Sequence, residues 1–320
     1  MSLFQQIPSS TKRAYLKRVA DGVYAGNPLL WMLTQKKKQQ YQGGELIVQP
    51  LIATQTNGGS FEAWDALTAA DANDVDAARY NWVSYYGAAA ISGQDYFKNM
   101  GPEQAVNLLG AKMANAELTI KEKMAVDMYL VSGSANPTGL TSVDEIVDGG
   151  TITVGGLTST DVASWAGHNV SGGNTLVTLA GMETLYTSCS EGDEEPDLMV
   201  TDKTVYAKIW SLLQANQRYL GADNKVGFKN LLFNNAALTF DSHCVGGTGQ
   251  TTSGSYSLVQ KRLYAFNTNY FQLAVHKDVE FVMEEKVPTN QWGYLAYIYW
   301  MGNLTCNNRR FQGCIDDLTG

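Results

Sequence analysis

At 320 residues, 44% hydrophobic and 11% aromatic, the chain is long enough for two compact cores and too apolar for a disordered one. Its net charge of −8 argues against a general nucleic-acid binder, which is basic. No run of about 18 apolar residues occurs, which argues against a helical membrane span. The first residues, MSLFQQIPSSTKRAYLKR, lack the apolar core of a secretory signal. Cys189, Cys244, Cys306 and Cys314 form no CxxC pair, so they read as free thiols of a protein made in a reducing cytoplasm.

Residues 1–43 read as an arm. They hold seven bases (Lys12, Arg13, Lys17, Arg18, Lys36, Lys37, Lys38) against one acid, Asp21, a charge of +6 that leaves −14 for the remainder. Such asymmetry marks either a segment that seeks an acidic partner or a solvated basic face. The extended run GGELIVQPLI follows, its proline suited to an edge or bend. Some thirty residues rich in Ala, Asp, Asn and Gly separate it from a second extended run, YNWVSYYGAAAIS. Two such runs around a long polar tip predict an elongated β-hairpin, since loops of this length in compact domains are usually functional or disordered.

From Pro102 to Val131, apolar residues at Val106, Leu109, Met113, Ala116, Ile120, Met124 and Met128 recur every three or four positions and predict one long amphipathic helix. Pro102 suits its start and Ser132-Gly133 its end. Residues 134–173 alternate β-prone pieces with Gly/Ser/Thr linkers. A helix over 175–190, the short apolar strand LMVT and a second helix, DKTVYAKIWSLLQANQRYL, then predict a small α/β unit with a covered sheet. LLFNNAALTFDS, RLYAFNTNYFQLAVH, VEFVMEEK and GYLAYIYWMGNLTCNNRRF read as strands. In the last of these, aromatics alternate on both faces, which suits a strand covered on both sides.

No motif here carries chemistry. GGTGQTTSGS (246–255) lacks the lysine of a phosphate loop and opens no helix, so it reads as a flexible loop. His243 and Cys244 are adjacent rather than spaced for a metal, and His168 and His276 are isolated. EGDEEPD and DANDVD lack the ligand spacing of a calcium loop. No catalytic residue, metal ligand or cofactor site is expected.

Seven segments, taken in order, resemble the major capsid proteins of tailed bacteriophages, which share the Hong Kong 97 fold. They are NPLL.ML..KKK (27–38), GGELIVQPL (43–51), AARYNWVSYYGAAAISG (77–93), PDLMVTDKTVYAKIWSLLQANQRY (196–219), GFKNLLFNNAALTFD (227–241), FNTNYFQLAVH (266–276) and WMGNLTCNNRRFQG (300–313). The resemblance implies an α+β fold with an N-terminal arm (1–43), an extended β-hairpin loop (44–93), a peripheral domain with a long spine helix (94–171 and 273–320) and an α/β axial domain (172–272). It implies a non-enzymatic structural protein that forms hexamers and pentamers in the icosahedral virion capsid, assembled in the host bacterial cytoplasm around double-stranded DNA. A portal protein and a separate scaffolding protein are the other partners implied; no membrane is involved. An encapsulin-type bacterial compartment shell is the alternative, and a soluble α/β enzyme a rival from another class.

On this reading Lys36, Lys37, Lys38, Phe61, Trp64 and Arg79 are candidate contacts to neighbouring subunits. Gln214, Asn216, Arg218, Asp223 and Asn224 are candidates for an axial tip. Arg309 and Arg310 are either surface residues or ligands of a neighbour's acidic groups. No lysine lies between Gln39 and Phe97, so the lysine–asparagine crosslink of the family's founding member cannot start from this loop.

Overall fold

The computed structural model describes residues 26–67, 74–98, 108–132, 136–214, 231–244, 252–253, 256–257, 261–286 and 292–319. In chain order the elements are α1 (Pro28–Lys36), β1 (Lys38–Tyr41), β2 (Ile47–Ile52), β3 (Val75–Tyr80), β4 (Val83–Ser92), α2 (Gly93–Lys98), α3 (Leu108–Met128) and α4 (Val143–Val147). There follow β5 (His168–Leu176), α5 (Leu179–Ser188), β6 (Leu198–Thr201), α6 (Lys203–Gln214), β7 (Leu231–Phe233), β8 (Ala236–Phe240), β9 (Thr252–Ser253) and β10 (Tyr256–Ser257). The chain closes with β11 (Leu263–Phe266), β12 (Phe271–His276), β13 (Val282–Lys286), β14 (Gly293–Cys306), a 3-10 turn (Arg309–Phe311) and β15 (Gly313–Thr319). It divides into two compact units: Met1–Tyr24 with Tyr85–Lys121 and Phe281–Trp300, and Ala25–Ser84 with Glu122–Glu280 and Met301–Gly320.

In the first unit, β13 runs antiparallel to the start of β14, from Val282 opposite Tyr299 to Lys286 opposite Leu295. Here β14 alternates: Ala296, Ile298 and Trp300 are buried while Tyr297 and Tyr299 stay half-exposed. The expectation of a strand covered on both sides therefore fails over this half. It holds from Gly302 to Cys306, where every residue is buried, in the second unit. Helix α3 follows the predicted stripe, with Ala116, Ile120, Met124 and Met128 all buried; the predicted start at Pro102 lies outside the described residues. Gly87 lets the strand approach this helix, because a Cβ there would meet the Ala116 carbonyl oxygen at 2.5 Å.

The second unit is organised by a six-stranded sheet in the order β5-β15-β11-β6-β8-β7. Its central strands β6 and β11 are buried at every position, as expected where both faces of a sheet are covered. Met182, Leu185 and Tyr186 of α5 and Val205, Ile209 and Leu213 of α6 share a core with Met199, Leu238, Leu263 and Ile315 of the sheet. The first of these helices starts later than the predicted residue 175, because Thr175 and Leu176 finish β5. The Thr178 side chain then caps it, accepting from the Gly181 amide at 3.1 Å. LLFNNAALTF is two strands, since Asn234 turns the chain at φ 52°; asparagine tolerates this left-handed backbone better than most residues. A further ladder in this unit places β1 parallel to β12, with Lys38 opposite Leu273.

The predicted hairpin is present but differs in its partner strand. β2 pairs with Val75–Tyr80, not with the later aromatic run, from Ile47 opposite Tyr80 to Ile52 opposite Val75. The return strand breaks at Asn81-Trp82, where the Asn303 amide donates to the Asn81 carbonyl at 2.8 Å and the Trp82 indole to that of Gly44 at 2.8 Å. β4 then pairs with β14.

Candidate subunit-contact surfaces

Beyond the β2–β3 ladder the chain projects through residues 53–67, and there it exposes large apolar groups. Phe61 is 67% and Leu67 71% exposed, and Trp64 is fully exposed. The turn that carries them is closed from inside: the Asp65 carboxylate accepts from the Glu62 amide at 2.8 Å, and the Asp65 amide donates to the Glu62 carbonyl at 3.0 Å. Trp64 sits at φ 81°, a left-handed backbone that costs a non-glycine residue on the order of 1 kcal/mol. The local turn therefore holds an indole out in water at a conformational cost.

The candidate bases divide. Lys38 is committed within the chain to an ion pair with Glu280 at 2.6 Å, and Lys37 donates to the Asn269 side chain at 2.9 Å. Both contacts fasten β1 beside its partner strand. Lys36 is exposed in the last turn of α1, where a cation complements the helix C-terminus. Arg79 is exposed, and its guanidinium has no ion pair among the described residues. The axial candidates Asn216, Arg218, Asp223 and Asn224, and the side chain of Gln214, lie outside the described residues.

Arg309 corrects the reading of the paired arginines. It is fully buried and grips four main-chain carbonyls: Ile146 through Nε at 2.9 Å, Trp165 through Nη1 at 3.1 Å, and Glu145 and Asp148 through Nη2 at 2.8 and 2.9 Å. Three of these belong to the end of α4, whose unsatisfied carbonyls favour a cation. The helix begins with a capping box between Ser142 and Glu145, so both of its ends are satisfied. Burial lowers the Arg309 pKa. Arg310 is the surface residue of the pair, bridging to Glu191 at 2.7 Å.

His243 was also missed as a structural centre. It lies between two carboxylates, with Nδ1 at 3.0 Å from Asp241 and Nε2 at 3.0 Å from Glu122, and Tyr129 donates to the other oxygen of Asp241 at 3.1 Å. Burial alone would lower its pKa, but the hydrogen bonds and charges of Asp241 and Glu122 outweigh that and raise it. The Asp241-x-His243 spacing was visible in the sequence; Glu122, 121 residues away, was not. The cysteines are all buried, and burial pushes the thiols of Cys189 and Cys306 up to about 12, which leaves them unreactive. Among the described residues no cluster of His, Cys, Asp and Glu is arranged to hold a metal, and no helix is long and apolar enough to cross a membrane.

No family model and no curated protein sequence matches the chain. Solved structures do. The capsid of a native GTA particle superposes with a TM-score of 0.69 at 10% identity, over 99% of this chain and 98% of that one. The encapsulin of the holo-SrpI complex from Synechococcus elongatus PCC 7942 gives 0.66 at 7% identity, over 100% and 96%. The capsid protein of cyanophage P-SCSP1u gives 0.58 at 12% identity, over 97% and 93%. The chain has a capsid-shell fold. It is the mixed α and β fold of Hong Kong 97 type that the sequence resemblance implied, and it accounts for the chain from end to end. At 7–12% identity the likeness resides in architecture.

Proposed function

We propose that this chain is the major capsid protein of a tailed bacteriophage, a non-enzymatic subunit that builds an icosahedral head around double-stranded DNA. The observation that carries the reading is the two-way coverage: nearly the whole chain aligns with nearly the whole of several shell proteins. On this reading residues 1–43 are the arm, 44–93 the extended loop, 94–171 with 273–320 the peripheral domain, and 172–272 the axial domain. Hexamers and pentamers form by repeated heterologous contacts closed by symmetry, and a portal and a separate scaffolding protein complete the particle.

Phe61 and Trp64 anchor on an adjacent subunit, since the tip exposes them and burying one aromatic stabilises by roughly 1.5–3 kcal/mol. Lys36 and the bases of residues 1–25 contribute salt-sensitive attraction to acidic surface or to packaged DNA. The axial residues from Gln214 to Asn224 surround both ring sizes with adaptable polar groups.

The alternative is a compartment shell, favoured by the encapsulin match over 100% of this chain. Electron microscopy of particles purified from infected or expressing cells, with nuclease treatment and the ratio of absorbance at 260 and 280 nm, separates the readings. Closed particles holding nuclease-resistant DNA support the phage head. Particles filled with protein and free of DNA support the compartment. A chain that stays monomeric alone and with a scaffold overturns both.

A further inference from the structure

We infer that Asn57 is a self-modifying site: in the folded chain the Gly58 amide nitrogen attacks its side-chain amide, and the residue converts to isoaspartate and aspartate with loss of ammonia. The inference is independent of the shell reading and needs no reactant besides water.

The sequence selects the position. Asn57-Gly58 is the sole Asn-Gly pair in the chain. The reaction closes a five-membered ring, so the nitrogen that follows the asparagine must reach the carbonyl carbon of its side chain. A side chain on that following residue crowds the approach, and glycine has none. Asn27 and Asn136 precede Pro28 and Pro137, whose nitrogens carry no proton to lose.

The fold leaves the pair unrestrained. Residues 54–67 are all exposed, and a Cβ built on Gly58 or Gly59 would meet nothing within 4 Å. Among the described residues, neither the Gly58 amide nor the Asn57 side chain has a hydrogen-bond partner. Other asparagines are held. Asn234 donates to Glu183 at 3.1 Å, buried Asn267 to Glu194 at 2.8 Å, and buried Asn303 to the Asn81 carbonyl at 2.8 Å. The fixed points nearest Asn57 are the Ala53 amide, bonded to the Asp74 carbonyl at 2.7 Å, and the Glu62 amide, bonded to the Asp65 carboxylate at 2.8 Å. Asn57 and Gly58 lie midway between them, where ring closure distorts neither.

The chemistry balances with water alone. Hydroxide takes the Gly58 amide proton, and the nitrogen bonds to Cγ of Asn57. The bond from Cγ to Nδ2 breaks, and that nitrogen leaves as ammonia after taking a proton from water. Water then opens the cyclic imide. Opening at the main-chain carbonyl gives isoaspartate, with the chain rerouted through Cβ and Cγ; opening at Cγ gives aspartate. Either product adds one negative charge to residues 44–93, where six acids already face a single base, Arg79. Isoaspartate also lengthens the main chain by one methylene just before the turn that carries Phe61 and Trp64. The charge of the loop therefore records the age of the molecule.

The test incubates the purified full chain in mildly alkaline buffer and follows it by tryptic mass mapping, with a urea-unfolded sample as the clock. No lysine lies between Gln39 and Phe97, so one peptide ending at Arg79 carries both Asn57 and Asn73, and fragmentation must separate them. A gain of about 1 Da is expected at Asn57, as two products with isoaspartate the larger. Conversion should be at least tenfold faster there than at any other asparagine, within about threefold of the unfolded rate, and faster as pH rises. Heavy-oxygen water should leave one labelled oxygen in each product. Gly58→Ala should slow the conversion at least tenfold and Asn57→Gln abolish it, with circular dichroism unchanged in both. An Asn57 that stays intact in the folded chain while the unfolded chain converts overturns the inference. So does a rate that Gly58→Ala leaves unchanged, since the ring route would then be wrong.

Discussion

The six-stranded sheet and the β2–β3 hairpin draw on the same residue types and treat them in opposite ways. Leu198, Met199 and Val200 of β6 and Leu263 to Phe266 of β11 are buried on both faces. Val48, Ile52 and Val75 of the hairpin are 48%, 77% and 67% exposed. A continuous apolar run asks for two layers of cover within one chain. An alternating run buries one face and, when its other face is apolar too, presents a surface that only another molecule can cover.

Substitutions in the covered sheet should strike the free chain hardest. Phe266 is fully buried and stacked between Tyr264 and Phe271 at 5.8 and 5.2 Å, so Phe266→Ala should cost about 3–5 kcal/mol in urea unfolding of the single chain. A smaller loss would mean that the site collapses around the missing ring. Arg309→Met should follow at about 3 kcal/mol, because four buried carbonyls lose their donors together. A wild-type denaturation midpoint in that variant would show that water replaces the guanidinium.

His243 sets a smaller, pH-dependent effect on the same side of the comparison. Its folded pKa is raised, so its contribution is complete below the ordinary histidine value of about 6.5 and is lost as pH rises through the folded value. The groups facing it are Asp241 and Glu122, with Tyr129 behind Asp241. Stability of the free chain should decline from about pH 6.5 upward, and His243→Gln should flatten that decline. Identical pH profiles for the two proteins would rule out the clamp.

The hairpin side of the comparison predicts near silence in the free chain. Trp64→Ala should change its stability by no more than about 0.5 kcal/mol while lowering shell yield or resistance to denaturant. An unaffected shell would remove Trp64 as an anchor. Smallest of all is the expected effect of omitting reductant when shells are boiled in detergent: a single band at 34.9 kDa either way, since the loop has no lysine and the cysteines are buried. A ladder of oligomers would demonstrate a covalent link.

Much of the architecture was readable from local pattern. The α3 stripe, LMVT as a covered strand and the existence of a hairpin all rest on periodicity, which sequence displays directly. The hairpin's return strand was misplaced because the aromatic run 80–92 is the stronger β signal, whereas its true partner, VDAARY, is mostly small and charged. What paired it was register with IVQPLI and the break at Asn81-Trp82. Arg309 and His243 were illegible for another reason. Their partners are carbonyls 144 to 164 residues away in one case and a carboxylate 121 residues away in the other, and no local spacing encodes such contacts. The contact candidates divide along the same line: Phe61 and Trp64 owe their exposure to a turn four residues long, while the roles of Lys37 and Lys38 depended on Asn269 and Glu280.

The Arg309 cage places an unequal burden on heredity. All four of its acceptors are peptide oxygens, and every amino acid brings one. Replacing the side chains of Glu145, Ile146, Asp148 or Trp165 cannot delete an acceptor, whereas replacing one residue at position 309 deletes every donor at once. A lock of this design lets one side of a contact drift through many codons while the other stands still, so that a fold can outlast nearly all the letters that first spelled it.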